Sequence, residues 1–336
     1  MNPARDKDRP RRVLLMALGM FVAAQLGFGL WIDHVAPLFR FTSLRALVAR
    51  LTDRESPPEI VVLGSSRLEG AMVESEAARL ALPGLFNAGV PAGDPTAQEA
   101  VLKRLIASGA RPRRVLVELS PEFFVRTNFC AGWNGLRLHR WADLPDHIVQ
   151  IAVTNQLGRV AAARLLPIYQ YRDLIWKEIA GIAFPAAGAG PTAEPKAETS
   201  RRVVNPHDIV PPQTPAQIAT LAEGGRLVAR SWLRDTRIDP VNIRALDRIL
   251  AVCRDMGAEV WLITPPLSAP HRGTFNPELE ASYQEIISAT GCRHIDCRDW
   301  MADGWFHDSH HLRPEGGLAF TRRFAREVLL PAGAGE

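Results

Sequence analysis

The fold is decided by the stretch Ile60-Val61-Val62-Leu63-Gly64-Ser65-Ser66. Its first four residues form an uninterrupted apolar run, which is typical of a strand buried on both faces of a parallel sheet. The glycine and the two serines then mark the point where the chain leaves the strand. Because ligands of open α/β sheets bind at the carboxyl ends of the strands, we expect Ser66 to lie at a functional edge of the sheet.

The same alternation of strands and helices continues along the chain. Four further segments are predicted as strands, at residues 85–87, 115–119, 260–263 and 294–296. Capping residues and glycines predict helices at residues 95–109, 243–256, 277–290 and 315–329. This order predicts an α/β fold with right-handed crossovers and helices on both faces of the sheet.

The length and the charge of the chain limit the classes of function. Its 336 residues, 47% of them hydrophobic, are enough for one large domain with a substantial core. Residues 1–12 carry five basic and two acidic side chains, which supply +3 of the formal net charge of +4. The rest of the chain is therefore close to neutral, and we expect no nucleic-acid partner.

Residues 13–32 predict a membrane anchor, since they include one polar side chain, Gln25, and no charge. A helix of that length spans roughly 30 Å, the thickness of the hydrocarbon layer. The basic tip at 1–12 then stays in the cytoplasm, and the main domain is periplasmic or extracellular. A cleaved signal peptide is the alternative, although no clear small-x-small site ends the apolar run.

The remaining chain divides into a stalk and a globular domain. Residues 33–57 form the predicted stalk and include an amphipathic helix at 42–53. The α/β domain covers residues 58–330, interrupted by a mostly helical insertion at 130–240. Within that insertion, residues 184–215 are rich in Ala, Pro and Gly, and we expect them to be flexible.

Four cysteines, Cys130, Cys253, Cys292 and Cys297, occur in a chain that we expect to be exported. Disulfides are compatible with that compartment, and four cysteines allow three pairings. The sequence does not select one of them. We favour structural or free thiols over a nucleophilic role.

The candidate chemistry lies in Ser66 and in the segment Asp308-Ser309-His310-His311-Leu312. An aspartate three residues before a histidine can hold the imidazole in the tautomer that accepts a serine proton. We therefore expect Ser66 to be the nucleophile, His311 the base and Asp308 the orienting acid. The backbone N–H groups of Ser66 and Gly89 and the amide of Asn87 are candidate oxyanion donors.

Each of these residues also has an ordinary structural interpretation. Ser66 fits a simple turn, Asn87 and Gly89 fit a turn pair, and Asp308 fits a helix cap with histidines on the surface. A metal site built from His307, Asp308, His310 and His311 is a further alternative. We expect no metal and no cofactor.

The chain resembles the SGNH (GDSL-type) hydrolases at three short blocks. They are Gly64-Ser65-Ser66, Asn87-Ala88-Gly89 and Asp308-x-x-His311-Leu312, which look like the first, second and fifth blocks of that superfamily. The resemblance covers about residues 58–330, with a poorly matched middle. The doubled serine, the single anchor and Glu118-Leu119-Ser120-Pro121 resemble a membrane-anchored subgroup, which includes the D-alanyl-lipoteichoic acid transfer protein and envelope polysaccharide O-acyl transfer proteins.

This resemblance implies a three-layer α/β/α, flavodoxin-like sheet and a serine esterase or O-acyltransferase. The family's nucleophile corresponds to Ser66, its oxyanion glycine to Gly89, and its Asp/His pair to Asp308 and His311. The implied partners are an acyl-ester or polysaccharide substrate, the cytoplasmic membrane and a membrane-bound acyl-transfer protein. The third block departs from the family pattern Gly-x-Asn-Asp, because Ser120-Pro121-Glu122-Phe123 stands there. A catalytically degenerate partner protein or glycan-binding protein is therefore the rival expectation.

Overall fold

The computed structural model describes residues 4–36, 41–128, 144–176 and 213–330, together with residues 130, 132, 135, 136, 138, 210 and 211. The chain divides into two compact units, one of residues 1–42 and 157–204 and the other of residues 43–156 and 205–336. Of the segment 184–215 that we expect to be flexible, residues 184–209 and 212 lie outside the described residues.

The described residues form five strands and a series of helices. The strands are β1 (Ile60–Leu63), β2 (Leu85–Asn87), β3 (Arg114–Glu118), β4 (Glu259–Thr264) and β5 (Arg293–Asp296). The helices are α1 (Ala4–His34), α2 (Thr42–Thr52), α3 (Ser66–Ala71), α4 (Glu74–Arg79), α5 (Pro95–Ala107), α6 (Leu144–Val153), α7 (Leu157–Leu165), α8 (Pro167–Gln170), α9 (Pro215–Leu227), α10 (Pro240–Asp255), α11 (Ala269–Arg272), α12 (Pro277–Thr290) and α13 (Pro314–Phe324). Short 3₁₀ turns occur at Pro121–Phe124 and Asp303–Trp305, and π turns at Val228–Trp232 and Ala325–Leu329.

The five strands form one parallel sheet in the order β2-β1-β3-β4-β5. This confirms the predicted α/β class and the positions of all five predicted strands to within one residue at each end. The order reverses between β1 and β3, because β1 pairs with β2 on one side and with β3 on the other. In open parallel sheets such a reversal leaves a crevice at the carboxyl ends of the strands.

Both faces of the sheet are buried. On one face, Val62 and Leu116 pack in a cluster with Phe320 and Phe324 of α13. On the other face, Val61 and neighbouring strand residues have no exposed surface, and α5 and α10 pack against each other beside β1 and β4. The continuous apolar runs in β1, β3 and β4 follow from this burial on two sides.

Helix starts were predicted best where a capping residue precedes a proline. The side chain of Asp94 accepts the N–H of Ala97 at the start of α5, and Asn276 caps α12 in the same way. The prediction for α10 was wrong at its start, because the helix begins at Pro240, three residues before Ile243. Asp239 and Pro240 carry the same cap signal, and the side chain of Asp239 accepts the N–H of Val241.

The first unit is built around α1. From Pro10 to His34 this helix is long and apolar enough to cross a membrane, with a mean hydropathy of 2.1 in its apolar window. It contacts α7 and α8, and the side-chain oxygen of Gln25 accepts the N–H of Ile168 at 3.1 Å. Asp33 and Arg164 form a buried ion pair at 3.3 Å.

The second unit contains the sheet, and α2 belongs to it. The helix predicted in the stalk is present at Thr42–Thr52 and buries Leu44, Leu47 and Leu51. All four cysteines are free thiols, and two of them, Cys253 and Cys297, are buried.

Candidate active site

The three predicted catalytic side chains meet at the carboxyl end of the sheet. Ser66 is the first residue of α3, directly after β1 and the Gly64-Ser65 turn. Asp308 and His311 lie in the loop that precedes α13. The Oγ of Ser66 lies 2.8 Å from Nε2 of His311, although 245 residues separate them in the chain.

The hydrogen-bonded chain continues from His311 to Asp308. Nδ1 of His311 lies 2.8 Å from Oδ2 of Asp308, while Oδ1 of Asp308 accepts the backbone N–H groups of His310 and His311. Burial alone would raise the pKa of the Asp308 carboxyl, but these hydrogen bonds and the adjacent histidines hold that pKa well below its ordinary value. An ionised Asp308 fixes the proton of His311 on Nδ1, which leaves Nε2 as the acceptor for the serine proton.

Ser65 fixes the turn that carries Ser66. Its Oγ accepts the N–H of Arg67 at 3.2 Å and thereby caps α3. Both polar groups of Ser65 also bind Glu118, with its N–H donating to Oε2 at 2.7 Å and its Oγ donating to Oε1 at 2.8 Å. A Cβ at Gly64 would lie 2.5 Å from the same carboxylate, so this close approach requires glycine.

Arg67 joins two buried carboxylates below the nucleophile. Its Nε donates to Glu118 at 2.9 Å and its Nη1 donates to Glu122 at 2.5 Å. Burial disfavours the charged form of Glu122, but Arg67 and His271 lower the pKa of this carboxyl far below its usual range. Ser120 donates to the other oxygen of Glu122. The residues in the position of the third block therefore form a buried ionic network.

Two of the candidate oxyanion donors, Asn87 and Gly89, already donate their hydrogen bonds within the protein. The amide nitrogen of Asn87 donates to the backbone oxygens of Leu68, Glu69 and Met72, so it ties β2 to α3. Its Oδ1 accepts the N–H of Gly89 at 3.0 Å. These contacts do not support a direct donor role for Asn87, which positions Gly89 instead. The oxyanion role of Gly89 stays a prediction and requires its N–H to be shared or released.

The N–H of Ser66 is the other candidate donor. It lies in the first turn of α3, where backbone N–H groups have no acceptor within the helix. The positive end of the helix dipole also favours negative charge at this place.

The histidines around Asp308 occupy two different environments. The ring of His310 is turned inward beside Trp232 and His271, and its Nδ1 lies 3.0 Å from Oγ of Ser309. Burial and the neighbouring His311 lower the pKa of His310 well below its ordinary value. His307 lies at the surface, and its ring stacks on that of His311 with centroids 5.5 Å apart. Of the four predicted metal ligands, His307, Asp308 and His311 come together.

An open groove of about 500 Å³ lies beside the site. One wall comes from α2, and the other comes from the residues that follow Ser66 and β2. Its lining includes Arg50, Glu69, Glu74, Asn87 and Gly89. Glu69 lies one turn after Ser66 on α3, and partial burial raises the pKa of its carboxyl despite nearby Arg50 and His311. Charges of both signs and apolar surface meet in this groove, which suits a neutral polar ligand.

Sequence reasoning found the three residues that meet at Ser66 but missed the network below them. At the centre of this network, Arg67 is buried against Glu118 and Glu122. The signal for the network was one charged residue near the carboxyl end of each of two apolar strands. These residues are Arg67, four residues after β1, and Glu118, the last residue of β3. Such charges are rarely buried unless they are paired.

No family model matches the chain. No curated protein is significantly similar to it in sequence.

Proposed function

We propose that this protein is a membrane-anchored serine esterase or O-acyltransferase with an SGNH-like α/β domain. The observation that carries the proposal is the continuous chain of two 2.8 Å contacts from Ser66 through His311 to Asp308. Ser66 follows β1, beside the point where the strand order reverses, and this position also supports the proposal. Crevices at such a reversal bind ligands in open α/β sheets. The strand order 2-1-3-4-5 is also that of flavodoxin-like sheets.

In the proposed reaction, Oγ of Ser66 attacks the carbonyl carbon of an acyl ester. His311 takes the serine proton on Nε2 and then donates it to the leaving alcohol as the ester C–O bond breaks. Asp308 remains ionised and stabilises the imidazolium. Water or a sugar hydroxyl then attacks the acyl-serine, with His311 as the base, and regenerates Ser66.

The tetrahedral intermediate needs donors for its oxyanion. The N–H of Ser66 supplies the first, and Gly89 supplies the second when its N–H turns from Asn87 toward the substrate. Each such donor is typically worth about 3 kcal/mol of the barrier. Binding of substrate in the groove beside Gly89 is the event that we expect to release this N–H.

The substrate class rests on the family resemblance. It points to acyl esters of a cell-envelope or exported polysaccharide, with the α/β domain outside the cytoplasmic membrane. The mixed charges of the groove suit the hydroxyl groups of a sugar, and water and sugar acceptors use the same triad.

Covalent labelling tests the proposed nucleophile. The full chain in detergent is treated with a fluorophosphonate, and the adduct is located by peptide mass spectrometry. We expect one adduct on Ser66, which Ser66→Ala removes and His311→Ala slows by at least a hundredfold. The matched controls are Ser231→Ala and His34→Ala, which remove the same groups at exposed positions outside the triad and should label at the rate of the unaltered chain.

The rival function makes the opposite prediction. A non-catalytic partner or glycan-binding protein would keep the fold and the groove, and it would show no adduct while folded. The missing third-block asparagine and the pairing of Gly89 with Asn87 favour that rival. Labelling of another serine instead of Ser66 would contradict both functions.

A further inference from the structure

The loop of residues 307–311 is closed at its base, and the proposed mechanism does not use all of it. Phe306 and Leu312 pair as an antiparallel bridge, and the N–H of His307 donates to the backbone oxygen of His311 at 3.1 Å. Inside the loop, Oδ1 of Asp308 accepts two backbone N–H groups. These bonds hold His307 and His311 opposite each other with their rings stacked.

Three ligand atoms converge on the outer side of this loop. Nε2 of His307 lies 3.4 Å from Oδ2 of Asp308, and Nδ1 of His311 lies 2.8 Å from the same oxygen. One ligand atom from each of the three residues lies within 4.8 Å of the others. A tetrahedral zinc site with bonds of about 2.0–2.1 Å places its ligand atoms about 3.3 Å apart. The separations of 3.4 and 2.8 Å from the two histidines to Asp308 are therefore within about 0.5 Å of the value in such a site.

The loop also offers access from solvent. The side chain of His307 is 58% exposed, while those of Asp308 and His311 are 32% and 25% exposed. Three protein ligands leave one coordination position for water. Two imidazoles and one carboxylate favour Zn²⁺ over Mg²⁺ or Ca²⁺, which prefer sets of oxygen ligands.

We propose that His307, Asp308 and His311 form a zinc site that switches off the serine. Zinc on Nδ1 of His311 replaces the proton that this nitrogen shares with Asp308. The neutral imidazole then carries its proton on Nε2, which becomes a donor to Ser66 and no longer accepts the serine proton. The bond from the same zinc to Oδ2 of Asp308 replaces the hydrogen bond with which this carboxylate orients His311. Metal binding itself is independent of the proposed function, whereas the inhibition rests on it.

Cobalt provides the direct test, because Co²⁺ in a tetrahedral site of this kind absorbs visible light. The full chain in detergent, stripped with EDTA and dialysed, is titrated with Co²⁺ and then with Zn²⁺. We expect one Co²⁺ per chain, displaced by one Zn²⁺. His307→Ala should weaken the apparent Co²⁺ affinity at least tenfold, while His34→Ala, which also removes an exposed histidine, should leave it unchanged.

Fluorophosphonate labelling tests the inhibition. Saturating Zn²⁺ should slow labelling of Ser66 at least tenfold in the unaltered chain, and EDTA should restore the rate. Compared with its own metal-free rate, His307→Ala should need at least ten times more Zn²⁺ for the same inhibition. Mg²⁺ at the same concentration should have no effect.

The two readouts separate the possible failures. The zinc site is overturned if the unaltered chain gives no tetrahedral cobalt spectrum, or if His307→Ala leaves that spectrum and its affinity unchanged. Faster labelling with zinc would overturn the inhibitory role and indicate a metal that assists the serine. If Ser66 is not labelled even without metal, the proposed hydrolase function fails, and the cobalt spectra still decide whether the site exists.

Discussion

At the residue scale, the position of Ser66 depends on a carboxylate that does not touch it. Glu118 binds both the N–H and the Oγ of Ser65, and that Oγ caps the helix that begins with Ser66. Arg67 balances the charge of Glu118 from the other side. The nucleophile is thus fixed by its two neighbours in the chain, each of which is bound to the end of β3.

This arrangement makes Glu118→Gln informative, because the two side chains have nearly the same shape. Glutamine presents an NH₂ group in place of one carboxylate oxygen. Either the N–H of Ser65 then loses its acceptor Oε2, or the Oγ of Ser65 and the Nε of Arg67 both lose their acceptor Oε1. We expect a loss of about 3 kcal/mol in the free energy of unfolding. For a unit of this size that corresponds to a fall of roughly 6–12 °C in the melting temperature. Thermal unfolding followed by circular dichroism measures it.

The control for this substitution is Glu285→Gln, which changes the same group at an exposed position on α12. It should alter the melting temperature by less than about 2 °C, since surface substitutions rarely exceed 0.5 kcal/mol. If Glu118→Gln has the melting temperature of the control and Ser66 is labelled by fluorophosphonate at the unaltered rate, then Glu118 does not position the nucleophile.

The triad residues could be predicted from the sequence, whereas the buried acids near them could not. Asp308 and His311 could be predicted from their chemistry and their spacing of three residues, and Ser66 from the turn that follows an apolar strand. Glu118 and Glu122 could not, because a buried acid is recognised only by the partner that pairs with it. That partner, Arg67, is 51 residues from Glu118.

At the element scale, β1, β3 and β4 were predictable because each contains a continuous apolar run buried on both faces. In β5 only Ile295 is buried, so its prediction depended on one apolar residue before a turn. The loop after β2 was harder to interpret, since its residues are ordinary turn formers. In the structure this loop lies directly against the end of β1. The N–H of Val90 donates to the backbone oxygen of Gly64, and a Cβ at Gly93 would lie 2.1 Å from that oxygen.

We therefore expect Gly93→Ala to displace the loop that carries Gly89. A methyl group at this position cannot be accommodated without moving either the loop or the Gly64 turn, since its nearest contacts are backbone atoms. Overpacking of this kind costs about 1–3 kcal/mol of stability. Denaturant unfolding measures the loss, and fluorophosphonate labelling should slow in parallel because the loop and the nucleophile share the contact.

Gly70→Ala is the matched control, because a Cβ at Gly70 meets no atom within 4 Å. Gly70 is exposed within α3, and alanine there should preserve or raise stability by up to about 1 kcal/mol. Equal unfolding curves for Gly93→Ala and Gly70→Ala would contradict this prediction. They would show that the loop after β2 moves to accept the methyl group without a loss of stability.

At the scale of the whole molecule, the apolar helix α1 is distinguished by the contacts that it makes. Its one polar residue in the apolar stretch, Gln25, accepts the N–H of Ile168, and Asp33 pairs with the buried Arg164. A signal peptide that is removed after export would take Gln25 away and expose the surfaces of α7 and α8 that pack on α1. These contacts favour a retained anchor, as does the absence of a small-x-small sequence after the apolar run.

The prediction is that the membrane-bound protein keeps its first 32 residues. After expression in a bacterium and an alkaline carbonate wash, the protein should remain in the membrane pellet with the intact mass of the full chain. Protease added outside the cytoplasmic membrane should digest the α/β unit, because the basic tip holds the N-terminus inside. The double variant Trp31→Ala/Asp33→Ala is the control, since it installs a small-x-small site at the end of α1.

That control should be shortened by about 33 residues and released from the membrane, which shows that the processing enzyme reaches this position. A natural chain that is already shortened would mean that α1 is a signal peptide and that α7 and α8 find another partner. Retention combined with protection from external protease would place the α/β unit in the cytoplasm. In that case an acyl-ester chemistry on exported polysaccharide would lose its substrate, even if Ser66 proved to be an activated nucleophile.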